Sequence, residues 1–259
     1  MKAKKMINFT EISNKSVLGT ILRSTLSLIP RDAVLPVMQG PNKGFRLTKG
    51  SGVNGYWLGS YEYQKQKLMA EYIKDGMVCY DIGAHVGFYT LLFSRFTGKN
   101  GMVFSFEPNP INLSHLLKHL EVNKIRNTKI FQCGAWNKSG IKGLSLNSSE
   151  SSFAKTDRKE LHVPVFKIDE LVSGQYIMPP DIVKIDVEGA ELEVLEGMEE
   201  QLRSGRPIIF VALDSIEKRE AIFLFLQNLG YRVLNLYKEK IGFAEIKENN
   251  EIIGVKDED

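Results

Sequence analysis

The stretch "MVCYDIGAHVGFYTLLF", residues 77–93, contains the pattern that decides the fold. A short apolar run ends at Ile82, and from Phe88 onward apolar residues recur at helical spacing. Gly83 and Gly87 flank the turn between them, and glycines allow a backbone to turn sharply and to approach a ligand. The stretch therefore predicts a buried strand followed by a helix whose first N–H groups are free to bind a ligand.

From about Gln64 onward, predicted strands and helices alternate along the chain. The predicted strands cover residues 77–82, 102–107, 128–134, 182–187, 207–213 and 231–237, with a final pairing of 243–246 and 252–255. Apolar periodicity predicts helices over residues 64–74, after Phe88, and over 111–120, 192–202 and 221–230. Such repeated units predict an α/β fold with a mostly parallel sheet and helices on both faces. Ligands bind these sheets outside the carboxyl ends of the strands, so that edge is where chemistry is expected.

The chain divides into two predicted regions. Residues 1–60 are irregular and rich in glycine and proline after Pro30, which is typical of an N-terminal extension or lid. Residues 61–259 form the α/β domain. Within it, the polar string "SLNSSESSFAK", residues 145–155, predicts a surface loop.

Composition narrows the class of protein. The 259 residues are 43% hydrophobic and 25% charged, as in an ordinary globular protein. The net charge of +3 is too weak to indicate a nucleic-acid partner, so none is expected. Cys79 and Cys133 are isolated in apolar runs, which favours buried free thiols over a disulfide framework. Free thiols are typical of a reducing compartment, and we expect a cytoplasmic location.

No uninterrupted apolar segment approaches the roughly 18 residues of a membrane-spanning helix. The nearest candidate is "VLGTILRSTLSLIP", residues 17–30, which contains Arg23 and ends in a proline. Its apolar residues fall on one helical face. An amphipathic helix packed on the core is the main interpretation, and a weak contact with a membrane surface is the alternative.

Two acids follow the first two predicted strands. Asp81, at the tip of the first, could accept hydrogen bonds from a ligand or serve only as a turn acid. Glu107 follows the second strand, 24 residues after Gly83. An acid at about this distance meets the ribose hydroxyls of a nucleotide-like cofactor. The alternative for Glu107 is a cap for the helix that begins near Asn109.

The turn itself indicates which cofactor to expect. A dinucleotide site favours G-x-G-x-x-G, whereas this chain has D-x-G-x-x-x-G, with His85 and Phe88 where small residues are preferred. Asp81 would also lie close to a pyrophosphate. S-adenosylmethionine carries a cation and an amino acid instead of a pyrophosphate, and it is the better match.

The fourth predicted strand carries charges in the string "DIVKIDVEGAE", residues 181–191. Residues two apart on a strand point the same way, so Lys184 and Asp186 could form a structural pair. Glu188 could cap the next helix. The functional hypothesis is that Asp186 orients or deprotonates an acceptor hydroxyl, with Glu188 as the alternative base. Lys184 would then lower the pKa of the carboxylate or hold the substrate. Because no cluster of His and Asp accompanies these acids, no metal site is predicted.

Together these strings resemble the FkbM family of S-adenosylmethionine-dependent methyltransferases. The resemblance covers roughly residues 35–237 and is carried by "GYWLGSYE", "YDIGAHVGFYTL", "FSFEPNP", "NTKIFQCGAW" and "DIVKIDVEGAELEVLEG". It implies the class I methyltransferase (Rossmann-like) fold, a seven-stranded sheet with a reversed last strand. It also implies O-methylation, typically of sugar or natural-product hydroxyls, so the expected partner is a small-molecule or glycan acceptor.

The resemblance also implies roles for individual residues. Around the cofactor it implies the glycine turn, the ribose-binding acid and a segment beside the adenine. These residues are Asp81, Gly83 and Gly87, then Glu107, then Gly134, Ala135 and Trp136. At the reaction centre it implies Asp186 and Glu188. We also count His85, Asn109, Tyr61 and Glu62 among the candidate cofactor-binding residues. Tyr61 and Glu62 precede the core and could close over the cofactor, and a packing role for Tyr61 with a solvated Glu62 is the alternative.

The sequence departs from the family pattern at two places. Family members commonly have Asn where this chain has His85. They often place Glu or His near the fifth strand, where this chain has Ala212, Leu213 and Asp214. Two other functions therefore stay open, a non-catalytic protein that binds S-adenosylmethionine and a methyltransferase acting on RNA. The second would need a basic face with exposed aromatic residues, which the charge balance does not favour.

Overall fold

The computed structural model describes residues 28–146, 151–152 and 160–256. The strands are β1 (Val34–Pro36), β2 (Arg46–Thr48), β3 (Val78–Ile82), β4 (Met102–Phe106), β5 (Thr128–Phe131), β6 (Gly134–Ala135), β7 (Gly140–Leu146), β8 (Ser151–Ser152), β9 (Glu160–Phe166), β10 (Ile182–Ile185), β11 (Ile208–Ala212), β12 (Arg232–Leu234) and β13 (Glu251–Val255). The helices are α1 (Gly55–Leu58), α2 (Tyr63–Tyr72), α3 (Phe88–Thr97), α4 (Pro110–Val122), α5 (Ile168–Ser173), α6 (Glu191–Glu196), α7 (Glu199–Ser204) and α8 (Arg219–Asn228). Short 3₁₀ helices cover Lys49–Ser51, Ile216–Lys218 and Phe243–Glu248.

Seven strands form the central sheet, in the order β12-β13-β11-β10-β3-β4-β5. From β11 to β5 neighbouring strands are parallel, whereas β13 lies antiparallel to both β11 and β12. The predicted α/β fold and the reversed last strand are therefore confirmed. Strands in the middle of the sheet are buried on both faces, and this explains their almost continuous apolar sequences.

The strand order places the switch point between β3 and β10. After β3 the chain builds β4 and β5 on one side, and then returns to add β10 on the other side of β3. The register pairs Lys184 with Asp81 and Ile185 with Ile82, so the two strands end side by side. A crevice at the carboxyl ends of these strands is the expected ligand site of such a sheet.

The segment before α2 packs onto this sheet through its own small elements. Strands β1 and β2 pair as an antiparallel hairpin. Leu47 and Trp57 are buried in the same apolar cluster as Phe88 and Leu91 of α3. The part of residues 1–60 that the structure describes is thus more regular than the sequence indicates, and its role as a lid stays a prediction. Residues 17–27, most of the predicted amphipathic helix, lie outside the described residues.

No helix in the described part of the chain is long and apolar enough to cross a bilayer.

A second sheet of four strands, in the order β6-β9-β7-β8, was not predicted. The predicted strand 128–134 ends at Phe131, because Gly134 leaves the central sheet and pairs with Val165 of β9. The predicted loop 145–155 is partly wrong as well, since β7 extends to Leu146 and pairs with Ser151 of β8. Pairing between distant strands explains both differences, and local sequence does not reveal it.

Two predicted elements near the C-terminal half have other forms. The helix expected over 192–202 is split into α6 and α7, which are separated by Gly197 and Met198. A Cβ atom on Gly197 would lie 2.1 Å from the carbonyl oxygen of Trp136, so the chain approaches too closely there for any larger residue. The strand expected over 243–246 is the 3₁₀ helix Phe243–Glu248, in which the Glu245 carboxylate accepts a hydrogen bond from the Gly242 N–H.

Candidate active site

A cavity opens at the carboxyl ends of β3, β4 and β10. Its wall combines the glycine turn, the segment after β4, the start of β6, the tip of β10 and aromatic residues from the N-terminal segment and α3. The lining residues are Val53, Tyr56, Tyr61, Ile82, Gly83, Ala84, His85, Phe88, Tyr89, Phe106, Glu107, Pro108, Asn112, Cys133, Gly134, Ala135, Lys184, Asp186, Val187 and Glu188. The cavity therefore lies where the topology of the sheet places a ligand.

The glycine turn packs directly against the tip of β10. Gly83 has a φ of 77°, a left-handed conformation that favours glycine, and a Cβ atom there would lie 1.8 Å from the Asp186 carbonyl oxygen. The N–H groups of Gly83 and Ala84 both donate to the Phe106 carbonyl oxygen at 3.0 Å. Gly87, with a φ of 86°, begins α3. This turn therefore fixes the distance between β3, β4 and the end of β10.

Glu107 lines the cavity and also ties two loops together. Its carboxylate accepts hydrogen bonds from the backbone N–H of His85 at 2.7 Å and of Asn109 at 2.8 Å. Asn109 caps α4, because its side chain accepts a hydrogen bond from the Ile111 N–H at 2.9 Å. Burial raises the pKa of Glu107, although these N–H donors oppose the shift. The cap of α4 is thus Asn109 and not Glu107, which was the alternative for Glu107, and Glu107 faces the cavity.

Lys184 and Asp81 form a buried ion pair behind the cavity. The Lys184 ammonium lies 3.2 Å from the Asp81 carboxylate and donates a hydrogen bond to the Gly83 carbonyl oxygen at 2.7 Å. Thr90 donates to the other oxygen of Asp81 at 2.6 Å. Asp81 is completely buried, so its carboxylate holds the turn and the strands together. The structure thus gives Asp81 the partners of a turn acid, which was the alternative to ligand contact.

Asp186 presents a half-buried carboxylate at the tip of β10. One oxygen lies 3.6 Å from the Lys184 ammonium and 4.0 Å from the Lys65 ammonium. Burial alone would raise the pKa of Asp186, but the two lysines outweigh burial and lower the pKa below its usual range. The predicted pairing of Lys184 with Asp186 is therefore present, and the carboxylate is ionised at neutral pH.

The loop after Asp186 is held by residues that the sequence did not single out. Glu188 is exposed and has a φ of 55°, and α6 begins after Ala190 without a side-chain cap. The cap predicted for Glu188 is therefore wrong. Glu191 accepts hydrogen bonds from the Gly189 N–H at 2.8 Å and the Val187 N–H at 3.4 Å, because this loop turns its N–H groups toward the helix start.

Asp214, one of the departures from the family pattern, lies next to Glu191. The two side chains share a hydrogen bond, and burial raises the pKa of both carboxyl groups, that of Glu191 to about 7. Asp214, which follows β11, thus places an acid beside the loop that carries Glu188. It is not among the lining residues of the cavity.

The structure brings most of the predicted site residues to one place. Those that line the cavity are Tyr61, Gly83, His85, Glu107, Gly134, Ala135, Lys184, Asp186 and Glu188. Gly87, Asn109 and Asp81 support the wall from behind. Glu62 accepts a hydrogen bond from the Tyr89 hydroxyl at 2.5 Å. The Trp136 ring lies under the Lys142 ammonium, 4.0 Å from ring centroid to Nζ, on the second sheet.

Several residues of the site were missed. Lys65 is buried on α2, where the sequence shows a polar helix face and, three residues earlier, Glu62, which gives no sign that the lysine is buried. Tyr56, Phe88 and Tyr89 pack together, and the centroids of the stacked Tyr56 and Phe88 rings lie 4.7 Å apart. In the sequence they look like ordinary core residues. Asn112 could have been found, since it lies one turn into the helix that follows Glu107.

In the part of the chain that the structure describes, no group of three or more His, Cys, Asp and Glu side chains is arranged to hold a metal ion.

Comparison with known proteins adds to this geometry. The model of the methyltransferase FkbM domain matches residues 81–233, more than half of the chain. Hexuronic acid methyltransferase AglP from Haloferax volcanii is 32% identical over 143 residues, which are 53% of this chain and 56% of that protein. Methyltransferase 1 from Beauveria bassiana is 23% identical over 145 residues, 47% of this chain and 58% of that protein. The chain thus spans little more than half the length of these curated relatives.

Among solved structures, a methyltransferase FkbM from Methylobacillus flagellatus aligns with a TM-score of 0.49 at 18% identity, covering 71% of this chain and 44% of that one. The matched residues 81–233 contain the glycine turn, Glu107 and the tip of β10. The chain belongs to the FkbM family of methyltransferases.

Proposed function

We propose that this protein transfers a methyl group from S-adenosylmethionine to a hydroxyl group of a sugar, glycolipid or natural product. The observation that carries the proposal is that Glu107 and Asp186 line one cavity and that the turn at Gly83 contacts the segments of both. Family membership supports methyl transfer, and the ionised carboxylate supports a hydroxyl acceptor.

The residues present fit S-adenosylmethionine. Glu107 is a buried carboxylate at the wall that can accept hydrogen bonds from ribose hydroxyls. Gly134 and Ala135 are small residues that leave room for a flat ring beside Cys133. Tyr61 adds an aromatic ring, which attracts a cation such as a sulfonium. When bound, S-adenosylmethionine supplies a methyl group already activated by its positively charged sulfur.

Asp186 has the role of orienting the acceptor and taking up its proton. Its carboxylate accepts a hydrogen bond from the acceptor hydroxyl and thereby aims the oxygen lone pair at the methyl carbon. Asp186 would take up the O–H proton of the acceptor as its oxygen is methylated. Because its pKa is lowered, Asp186 is a weak base, and orientation is the larger part of its contribution.

The similarity to a hexuronic acid methyltransferase supports a carbohydrate acceptor for this chain. Glycans present hydroxyls that are poor nucleophiles, and a carboxylate placed beside the hydroxyl compensates for this weakness.

Cys79 and Cys133 are buried free thiols, which agrees with a cytoplasmic site of action.

The proposal is tested in two steps. Calorimetry with S-adenosylhomocysteine measures whether the cavity binds the cofactor product, and a methyl-transfer assay then compares uronic acid glycans, neutral glycans, hydroxylated metabolites and RNA. Binding with turnover on a hydroxylated acceptor is the expected result. Binding without turnover on any acceptor would favour a non-catalytic protein, and turnover confined to RNA would replace the proposed acceptor class.

A further inference from the structure

Lys65, in the first turn of α2, is buried although its side chain ends in an ammonium group. Only 1% of the side chain is exposed. A buried ammonium is stable only where anions pair with it. Its Nζ lies 2.8 Å from Glu251, 3.2 Å from Glu62 and 4.0 Å from Asp186, measured to the nearest carboxylate oxygen. One cation thus joins carboxylates from three separate parts of the chain.

These carboxylates belong to three different elements of the fold. Glu62 lies just before α2 and accepts the hydrogen bond of the Tyr89 hydroxyl, which lines the cavity. Glu251 is the first residue of β13, the reversed strand. Asp186 faces the cavity itself. Lys65 therefore connects the N-terminal segment and the last strand to the reaction centre.

We propose that Lys65 is a positioning residue for Asp186: its ammonium group fixes the Asp186 carboxylate at the cavity while anchoring Glu62 and Glu251. The inference rests on the role proposed for Asp186 in methyl transfer. Lys65 acts through Asp186, and the lining residues of the cavity do not include it.

The other charged groups around Asp186 define what Lys65 contributes. Lys184 also faces Asp186, but its ammonium is shared with Asp81 and with the Gly83 carbonyl oxygen. His85 adds a smaller favourable interaction. The negative charge of Asp186 raises the pKa of two further carboxyl groups, Glu251 and Asp214. Without Lys65, only the shared Lys184 and His85 would oppose the cost of burying the negative charge of Asp186.

The test is a titration of the Asp186 carboxyl group followed by ¹³C NMR in the full chain. The Asp186 resonance is assigned by its loss in Asp186→Asn. In Lys65→Met, which keeps the length of the side chain and removes its charge, the measured pKa of Asp186 should rise by about 1–3. Lys67→Met on the exposed side of the same helix is the matched control and should leave the pKa unchanged. An unchanged pKa in Lys65→Met, or an equal shift in Lys67→Met, would overturn the inference.

Lys65→Gln gives a second test if Lys65→Met does not fold. Its amide removes the charge but can still donate a hydrogen bond to Glu251, so the measured pKa of Asp186 should again rise. Lys65→Arg keeps the charge and should leave the pKa of Asp186 near its value in the unchanged chain. An unchanged pKa in Lys65→Gln, or an equal rise in Lys65→Arg, would contradict the inference.

Kinetics separate this inference from the proposed function. With an active acceptor, Lys65→Met should lower kcat about 10–100-fold and move the acid limb of the pH profile upward, with S-adenosylhomocysteine affinity within about threefold. Lys65→Arg should recover most of the activity. A protein that binds S-adenosylhomocysteine but methylates nothing would refute the function, whereas the NMR titration would still decide the role of Lys65. Lower thermal stability without a pKa shift would mean that Lys65 is only structural.

Discussion

Glu107 and Asp186 line the same cavity, yet the protein holds their carboxylates in opposite ways. Backbone N–H groups of His85 and Asn109 hold Glu107, and burial raises its pKa. Lysine ammonium groups hold Asp186, and its pKa is lowered. Neutral dipoles balance the cost of burial only partly, whereas full charges outweigh it.

This difference matches the two roles that we propose. A carboxylate held by the backbone has a fixed position and can select hydroxyl donors on a cofactor. A carboxylate held by lysines stays ionised while a proton approaches, and it can therefore orient a reacting hydroxyl. Substitutions at and around the two carboxylates test this difference, and the largest effect is expected for Gly83→Ala.

Gly83→Ala should disrupt both carboxylate sites at once. The new Cβ atom would meet the Asp186 carbonyl oxygen at 1.8 Å, and the φ of 77° would strain any residue with a side chain. We expect a loss of about 2–6 kcal/mol in the free energy of unfolding, measured with urea, and loss of cofactor binding.

Gly76→Ala is the matched control, since Gly76 has a φ of 88° but no atom within 4 Å of the added Cβ. Its free energy of unfolding should fall only by the backbone strain, about 1 kcal/mol or slightly more. Equal losses in the two variants would mean that the contact between the turn and β10 is unimportant.

Asp186→Asn should affect turnover and spare cofactor binding. We expect kcat to fall about 10²–10⁴-fold, because the neutral amide orients the acceptor hydroxyl less well and cannot take up a proton. Initial rates with saturating S-adenosylmethionine give kcat, and calorimetry gives the affinity. Glu199→Gln, which changes a surface carboxylate on α7, is the control. A larger loss in Glu188→Gln than in Asp186→Asn would transfer the role to Glu188.

Glu107→Gln should show the reverse pattern, with weaker binding of S-adenosylhomocysteine by about 10–100-fold. The amide loses one acceptor oxygen, and hydrogen bonds to a charged group are worth about 1.5–3 kcal/mol. Asp169→Asn is the control, because Asp169 is also a buried carboxylate held by backbone N–H groups, of Glu200 and Gln201 at 3.2 Å, but it lies on α5. Unchanged affinity in Glu107→Gln would remove Glu107 from the cofactor site.

The pH dependence of stability extends the comparison to Glu191, which backbone N–H groups also hold. Its pKa is about 7 in the folded protein, against an ordinary 4.5, so the folded state binds the proton more tightly than the unfolded state does. The stabilisation is complete below about pH 4.5 and is lost as pH rises through about 7. Glu191→Gln should flatten this decline by on the order of 2 kcal/mol in urea titrations at several pH values. An unaltered slope would contradict the assignment.

The smallest effect is expected for Trp136→Ala. The ring lies beneath Lys142 on the second sheet, and it is not among the lining residues of the cavity. Affinity for S-adenosylhomocysteine should change by no more than about twofold in calorimetry, as for substitutions away from a site. A tenfold loss would restore the adenine contact that the family resemblance implies.

The sequence was sufficient for the sheet and for both cavity acids. Strand and helix periodicities are local, and Glu107 and Asp186 follow buried strands directly, so their positions at one edge follow from the α/β pattern. It was insufficient where contacts join distant residues. Lys65 bonds to Glu251, 186 positions away, and its neighbour Glu62, three residues earlier, does not reveal that the lysine is buried.

The wrong predictions for Gly134 and Asp81 also come from pairing between distant strands. Gly134 pairs with β9 and not with the central sheet, and β9 begins only at Glu160. Asp81 precedes the glycine turn as a ligand-binding acid would, but the register places it opposite Lys184 and the pair becomes buried. Local patterns therefore locate the site, and the long-range pairing decides which side chains face it.

His85 shows how the backbone at the cavity limits evolutionary exchange. Its φ is 49°, in the left-handed region that few residues other than glycine adopt, and Asn, Asp and His are enriched there. The N–H group that this conformation presents donates to the Glu107 carboxylate at 2.7 Å. The backbone at position 85 therefore restricts the residue type, while the hydrogen bond to Glu107 depends only on the main chain.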